Sequence, residues 1–89
     1  MDFEWDDEKD LEIQETHGIS FQEIRDLIER RYLLAIVENH NPSYPKQKAL
    51  LVRKGKVVFL VPFEIRDGKK RLITAFYSEY YTKKFRGQK

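Results

Sequence analysis

A small α+β domain, with two N-terminal helices laid on an antiparallel sheet and a short basic helix at the end, is what this 89-residue sequence predicts. Three observations carry that expectation. Helix punctuation crowds the first thirty residues; β-branched and aromatic runs separated by glycine turns fill the rest; and 40% hydrophobic with 13% aromatic residues is enough apolar material for one core but not for two. No repeat, low-complexity tract or linker divides the chain, so residues 1–89 are read as a single domain.

The elements follow in order. Residues 2–5 alternate as a short edge strand would. Asp6 then has the character of an N-cap, and Asp7 and Glu8 suit the positive pole of a helix over 7–16, which Gly18 ends as a left-handed residue. Ser20 opens a second helix, with Glu23 as capping-box partner and Ile19 set to staple against Ile24. Phe21, Ile24, Leu27 and Ile28 form its apolar stripe, so this helix should lie on a sheet through one face. Strands are expected over 32–37, 48–53, 56–66 and 71–77, the last three as a meander through turns at Lys54-Gly55 and Asp67-Gly68. Residues 38–47 make the one longer loop, Pro62 implies an edge strand or a bulge, and Ser78 caps a basic helix over 78–86.

Charge is divided along the chain. Residues 1–29 hold eleven acids against Lys9 and Arg25, whereas residues 30–89 hold fifteen bases against four acids. A basic surface of this kind attracts polyanions or acidic proteins with a strength that falls as salt rises, although lysines on strands also serve simply to solvate an edge. There is no cysteine, and His17 and His40 are isolated, so neither disulfides nor a metal site is expected and no cofactor is called for. The longest apolar run, 57–63, is too short to span a bilayer; with no export signal at the N-terminus, a cytoplasmic location is expected.

Neither a Gly-rich phosphate loop nor a Ser-His-Asp pattern is visible, which leaves the basic sheet and its tyrosines as the chemistry-bearing feature. Three basic clusters, around 46–56, 66–71 and 83–86, would come together on a meander, with Tyr44, Tyr77, Tyr80 and Tyr81 among them as stacking faces for unpaired bases. Metal-free RNA cleavage needs a group to deprotonate the 2′-hydroxyl, a cation over the phosphate and an acid for the leaving oxygen. On this basis Lys48 and Arg53 are candidate phosphate cations, and Tyr77 or Tyr80 candidate stacking or proton-transfer groups. Lys46, Lys54, Lys56, Arg71, Lys83 and Lys84 are candidate RNA-binding charges. His17 is a minor acid–base candidate whose place before Gly18 equally suits capping of a helix C-terminus, and the tyrosines could as easily be half-buried structural aromatics.

The run FEWDDEK at 3–9 followed by HGISF at 17–21 resembles the opening of BrnT-type toxins, and NHNPSYPKQK at 39–48, VPF at 61–63 and TKKF at 82–85 are similar to a divergent branch of them. That resemblance implies a RelE-like fold and the toxin half of a type II toxin–antitoxin pair. It implies a metal-independent ribonuclease that arrests translation and growth until a cognate antitoxin protein binds it. Where such toxins carry arginine near the end of the last strand, this chain has Ser78-Glu79. The alternative from a different class is a non-catalytic basic module that binds nucleic acid or an acidic protein.

Overall fold

The computed structural model describes residues 2–38 and 47–86. Nine elements follow one another: β1 (Phe3–Glu4), α1 (Asp7–His17), α2 (Phe21–Glu29), β2 (Leu33–Glu38), β3 (Lys48–Lys54), β4 (Val57–Arg66), β5 (Lys69–Leu72), β6 (Phe76–Tyr77) and α3 (Glu79–Lys84). They make an α+β fold on one six-stranded sheet in the order β1-β5-β4-β3-β2, with β6 continuing the β5 side of β4.

Capping accounts for the helix boundaries. The Asp6 carboxylate accepts from the amides of Glu8 (2.8 Å) and Lys9 (3.4 Å), and Gly18 closes α1 at φ 66°. Only Ile13 of α1 is buried, so this helix holds little of the core. It is tied to α2 by Asp10, whose carboxylate accepts the Phe21 amide at 2.8 Å. Ser20 Oγ accepts the Glu23 amide at 3.0 Å, as the punctuation predicts, but the Glu23 carboxylate turns away to pair with Lys54 of β3 at 2.8 Å. The expected capping box is therefore half a box, its second half spent on fastening α2 to the sheet. Replacing Ser20 by alanine should lower stability by about 1 kcal/mol, read as a fall in the midpoint of thermal or urea unfolding.

The end of α2 carries no sequence signal. The amide of Tyr32 donates to the Leu27 carbonyl (2.9 Å) and that of Arg31 to the Ile28 carbonyl (3.0 Å), the paired bonds of a Schellman turn, with Arg31 itself left-handed at φ 70°. Glycine usually takes this place because a Cβ there is strained. Arg31→Gly is accordingly expected to stabilise the fold by roughly 0.5–1 kcal/mol, measured as a rise in the unfolding midpoint.

The sheet departs from the expected meander in three ways. It is mixed, because β1 runs parallel to β5 with Phe3 opposite Lys70 and Glu4 opposite Arg71. The first hairpin turn is Gly55-Lys56 rather than Lys54-Gly55: Lys54 still pairs with Val57, and Gly55 supplies the left-handed φ of 61°. The single strand expected over 71–77 is broken, since three residues, 73–75, face only Val61 and Pro62 between the pairs Phe63–Leu72 and Leu60–Phe76. Pro62 explains the break. Its carbonyl accepts from Ile73, so its missing N–H faces the same side, where no regular ladder could form. The proline thus sits in a central strand at a bulge, not on an edge.

Strand alternation sorts the two faces. Leu50 and Val52 of β3 and Phe59, Val61 and Phe63 of β4 join Ile13, Ile19, Phe21 and Ile24 in the core beneath α1 and α2. Arg53 and Lys54 are neighbours and so point oppositely; Lys54 reaches Glu23 on the α2 side, whereas Arg53 donates to the Phe85 carbonyl at 3.0 Å. Helix α3 therefore lies on the face away from α1 and α2. No helix among the described residues is long and apolar enough to cross a membrane.

Candidate functional site

Polar contacts fasten helix α3 to β4. Ser78 Oγ caps it by accepting the Tyr81 amide at 3.2 Å, and the Ser78 amide donates to the Val58 carbonyl at 2.9 Å. Thr82, only 7% exposed, accepts the Val58 amide on Oγ1 at 2.8 Å. Both backbone groups of Val58 thus find partners in the α3 segment just where β6 ends, so the helix completes the ladder that the short strand leaves open. The Arg53 bond to Phe85 fixes the far end of α3 to the same strand pair.

Between α3 and the Gly55-Lys56 turn this arrangement leaves a cavity of about 510 Å³. Arg53, Lys56 and Arg86 bring three cations to it; Val58, Thr82 and Phe85 supply its apolar and hydroxyl-bearing wall. Neither Lys56 nor Arg86 enters an ion pair among the described residues, so their charge is offered to the cavity and to solvent. Arg53 is half-buried and oriented through the Phe85 carbonyl. A cavity with three cations and an aromatic wall suits an anion that also carries a flat or apolar body.

The sequence-predicted site residues divide among several places. Arg53 and Lys56 meet at this cavity, with Lys83 and Lys84 on the adjoining helix. Lys54 belongs to the same hairpin but faces α2 and is neutralised by Glu23. Lys48 lies at the other end of β3, five residues from Arg53 and so about 17 Å along the strand, and does not join it over one phosphate. Arg71 lies 3.8 Å from Glu4 of β1, beyond that end of the sheet. Tyr77 is opposite Phe59 while Arg53 is opposite Val58; consecutive positions on β4 put the two on opposite faces, so they cannot act on one bond together. Tyr80 is 67% exposed, with its ring edge-to-face on Tyr81 at 5.0 Å and the Lys84 ammonium 5.9 Å from its centroid. His17 ends α1, exposed, with its ring 6.5 Å from Phe76, and does not line the cavity. Lys46 and Tyr44 lie outside the described residues.

The expectation that the three basic clusters converge is corrected by this layout. Around the cavity stand Arg53, Lys56, Lys83, Lys84 and Arg86 against one carboxylate, Glu79. The β4–β5 hairpin sets Arg66, Lys69, Lys70 and Arg71 against three, Glu64, Asp67 and the adjacent Glu4, and comes close to neutral. Of these two regions the α3 end carries the larger excess of cations over carboxylates. Reading charge without pairing overvalued the hairpin and undervalued Arg86, which with Thr82 and Phe85 follows the three- and four-residue spacing of one helix face. Glu79 is the first residue of α3, exposed and 3.1 Å from Lys83, as befits an acid at a helix start paired four residues on.

Comparison of the chain with protein-family models, with curated proteins and with solved structures yields no match.

Proposed function

We propose that this protein is the toxin half of a type II toxin–antitoxin pair, with a RelE-like fold, and that it cleaves RNA without metal at the α3 cavity. The observation that carries the reading is the convergence of Arg53, Lys56 and Arg86 on one cavity beside a helix with exposed tyrosine and lysines. Two N-terminal helices on one sheet face and the resemblance of FEWDDEK and HGISF to BrnT-type toxins support it further. A cognate antitoxin protein is the partner this reading calls for.

In the proposed reaction the 2′-oxygen attacks phosphorus, the bond from phosphorus to the 5′-oxygen breaks, and a 2′,3′-cyclic phosphate and a free 5′-hydroxyl result. One proton leaves the 2′-hydroxyl and one reaches the 5′-oxygen. Arg53 and Arg86 are suited to hold the non-bridging oxygens as negative charge grows there, and neither can give up a proton. Thr82 is committed through its oxygen to the Val58 amide. Protonation of the leaving 5′-oxygen therefore falls to Lys56, the cavity-lining group with an exchangeable ammonium proton, while the 2′-hydroxyl proton passes to a solvent water. Tyr80, with Lys84 beside it, offers a stacking face for a base outside the cavity.

The non-catalytic alternative is favoured by one feature, Glu79, whose carboxylate stands at the start of α3 where BrnT-type toxins carry arginine. Incubating the purified protein with total RNA in excess chelator separates the readings. Shortened RNA with 5′-hydroxyl ends supports cleavage; RNA that is retarded but intact supports the binding module; RNA neither cut nor bound at low salt overturns both.

A further inference from the structure

The two edges of the sheet differ in how they meet solvent. At one edge β1 is only two residues long, and its Glu4 lies beside Arg71. At the other, β2 has six residues, and nothing pairs with its outer side among the described residues. Leu33 to Val37 are all apolar, with no charged residue or proline among them. None of the six is buried, whereas Ala49, Leu50, Leu51 and Val52 of the adjoining β3 are fully so. Ile36 is 48% exposed and Tyr32, just before the strand, 45%.

An uncharged, strand-prone edge offers its unpaired N–H and C=O groups to any strand that reaches it, and charges, prolines and bulges are the usual defences. β2 has one of these, a bulge between Leu33 and Ala35. Beyond it, Ala35, Ile36, Val37 and Glu38 run in unbroken register against Leu51, Leu50, Ala49 and Lys48, which leaves a regular stretch open on its outer side. Charge then selects the occupant. Exposed Arg30 and Arg31 precede the strand and exposed Glu38 ends it, and none of the three enters an ion pair among the described residues. A second β2 laid antiparallel along this edge brings the Glu38 end of each copy to the Arg30-Arg31 end of the other, twice over about one two-fold axis. A parallel copy would set arginines beside arginines and Glu38 beside Glu38.

We propose that the β2 edge is a contact between two copies of this chain, in which the two β2 strands pair antiparallel and join the sheets into one. Main-chain hydrogen bonds hold the strands, and the apolar side chains of Leu33 to Val37 pack across the seam. The association requires no RNA and stands whether or not the α3 cavity cleaves it.

Sedimentation velocity of the whole protein from about 1 to about 100 µM should show monomer passing to dimer and no larger species, because a two-fold contact closes on itself. Ile36→Lys sets an ammonium on each strand at the seam and should weaken the dimer by roughly tenfold or more, while Leu11→Lys on α1, also at an exposed apolar residue, leaves it unchanged. Orientation is read by charge reversal, with circular dichroism confirming that each variant folds. Glu38→Lys and the double variant Arg30→Glu/Arg31→Glu should each dimerise more weakly than the wild type, yet mixed one to one they should pair more tightly than either does alone, since opposite charges then meet at both ends. A wild type that stays monomeric throughout overturns the proposal and leaves the edge to a strand of another protein. A dimer that Ile36→Lys does not weaken overturns it too, as do charge variants that gain nothing on mixing. If Ile36→Lys fails to fold, the mixture alone decides.

Discussion

Phe21→Ala is expected to destabilise the protein by about 3–5 kcal/mol, the cost of emptying a fully buried aromatic site. Phe21 occupies an unusual intersection. It is the first residue of α2, its amide is held by Asp10 of α1, and its ring meets Trp5 at 5.7 Å while packing into the core between both helices and the sheet. Truncation therefore loosens three elements at once, with little room for any to collapse inward. A chain of this length has a total stability of roughly 4–13 kcal/mol, so the loss is about a quarter of the whole or more. The thermal midpoint should fall by about 12 °C or more, against about 4–8 °C for Ser20→Ala. A Phe21→Leu variant, which keeps most of the volume, should lie between wild type and alanine. Circular dichroism melts decide it; a Phe21→Ala midpoint no lower than that of Ser20→Ala would mean that α1 and α2 are not joined through this ring.

The contrast between Ser20 and Arg31 shows where sequence is informative about this fold. A cap at a helix start is a side-chain function, so Ser20, Asp6 and Ser78 announce themselves, and all three accept the amides expected of them. A left-handed residue at a helix end is a backbone function, and when arginine rather than glycine occupies it nothing in the residue type betrays it. The strands were legible by their β-branched runs, but the break at 73–75 was not. Pro62 disturbs a partner strand ten or more residues away, a relation that exists only once the register is fixed. The site shows the same division. Arg53 and Lys56 could be named from their hairpin, yet the opposite facing of Tyr77 depends on which residue of β4 it meets. Thr82 gave no signal at all, because its work is to satisfy Val58, and an unpaired amide is invisible in sequence.

For function the largest expected effect lies at Lys56. If it moves a proton in the reaction, Lys56→Gln should slow RNA cleavage by about a hundred- to ten-thousandfold, the usual worth of general acid–base catalysis. The position suits the test because Lys56 is exposed in a tight turn whose geometry depends on Gly55, so the substitution should leave the melting temperature unchanged. Loss of activity could then not be ascribed to loss of fold. Loss of a positive charge also weakens phosphate binding, and Lys56→Arg separates the two effects. Arginine keeps the charge and the donors but cannot release its proton, so this variant should bind RNA as the wild type does and still fail to cut it. Lys54→Gln is the control on the same hairpin: its ammonium faces α2 and pairs with Glu23, so its removal should change cleavage by less than about threefold, while its exposed ion pair contributes at most about 1 kcal/mol to stability. Full cleavage by Lys56→Arg would reduce Lys56 to an electrostatic role and leave proton transfer to a group outside the cavity. Full cleavage by Lys56→Gln would remove the reaction from the α3 cavity altogether.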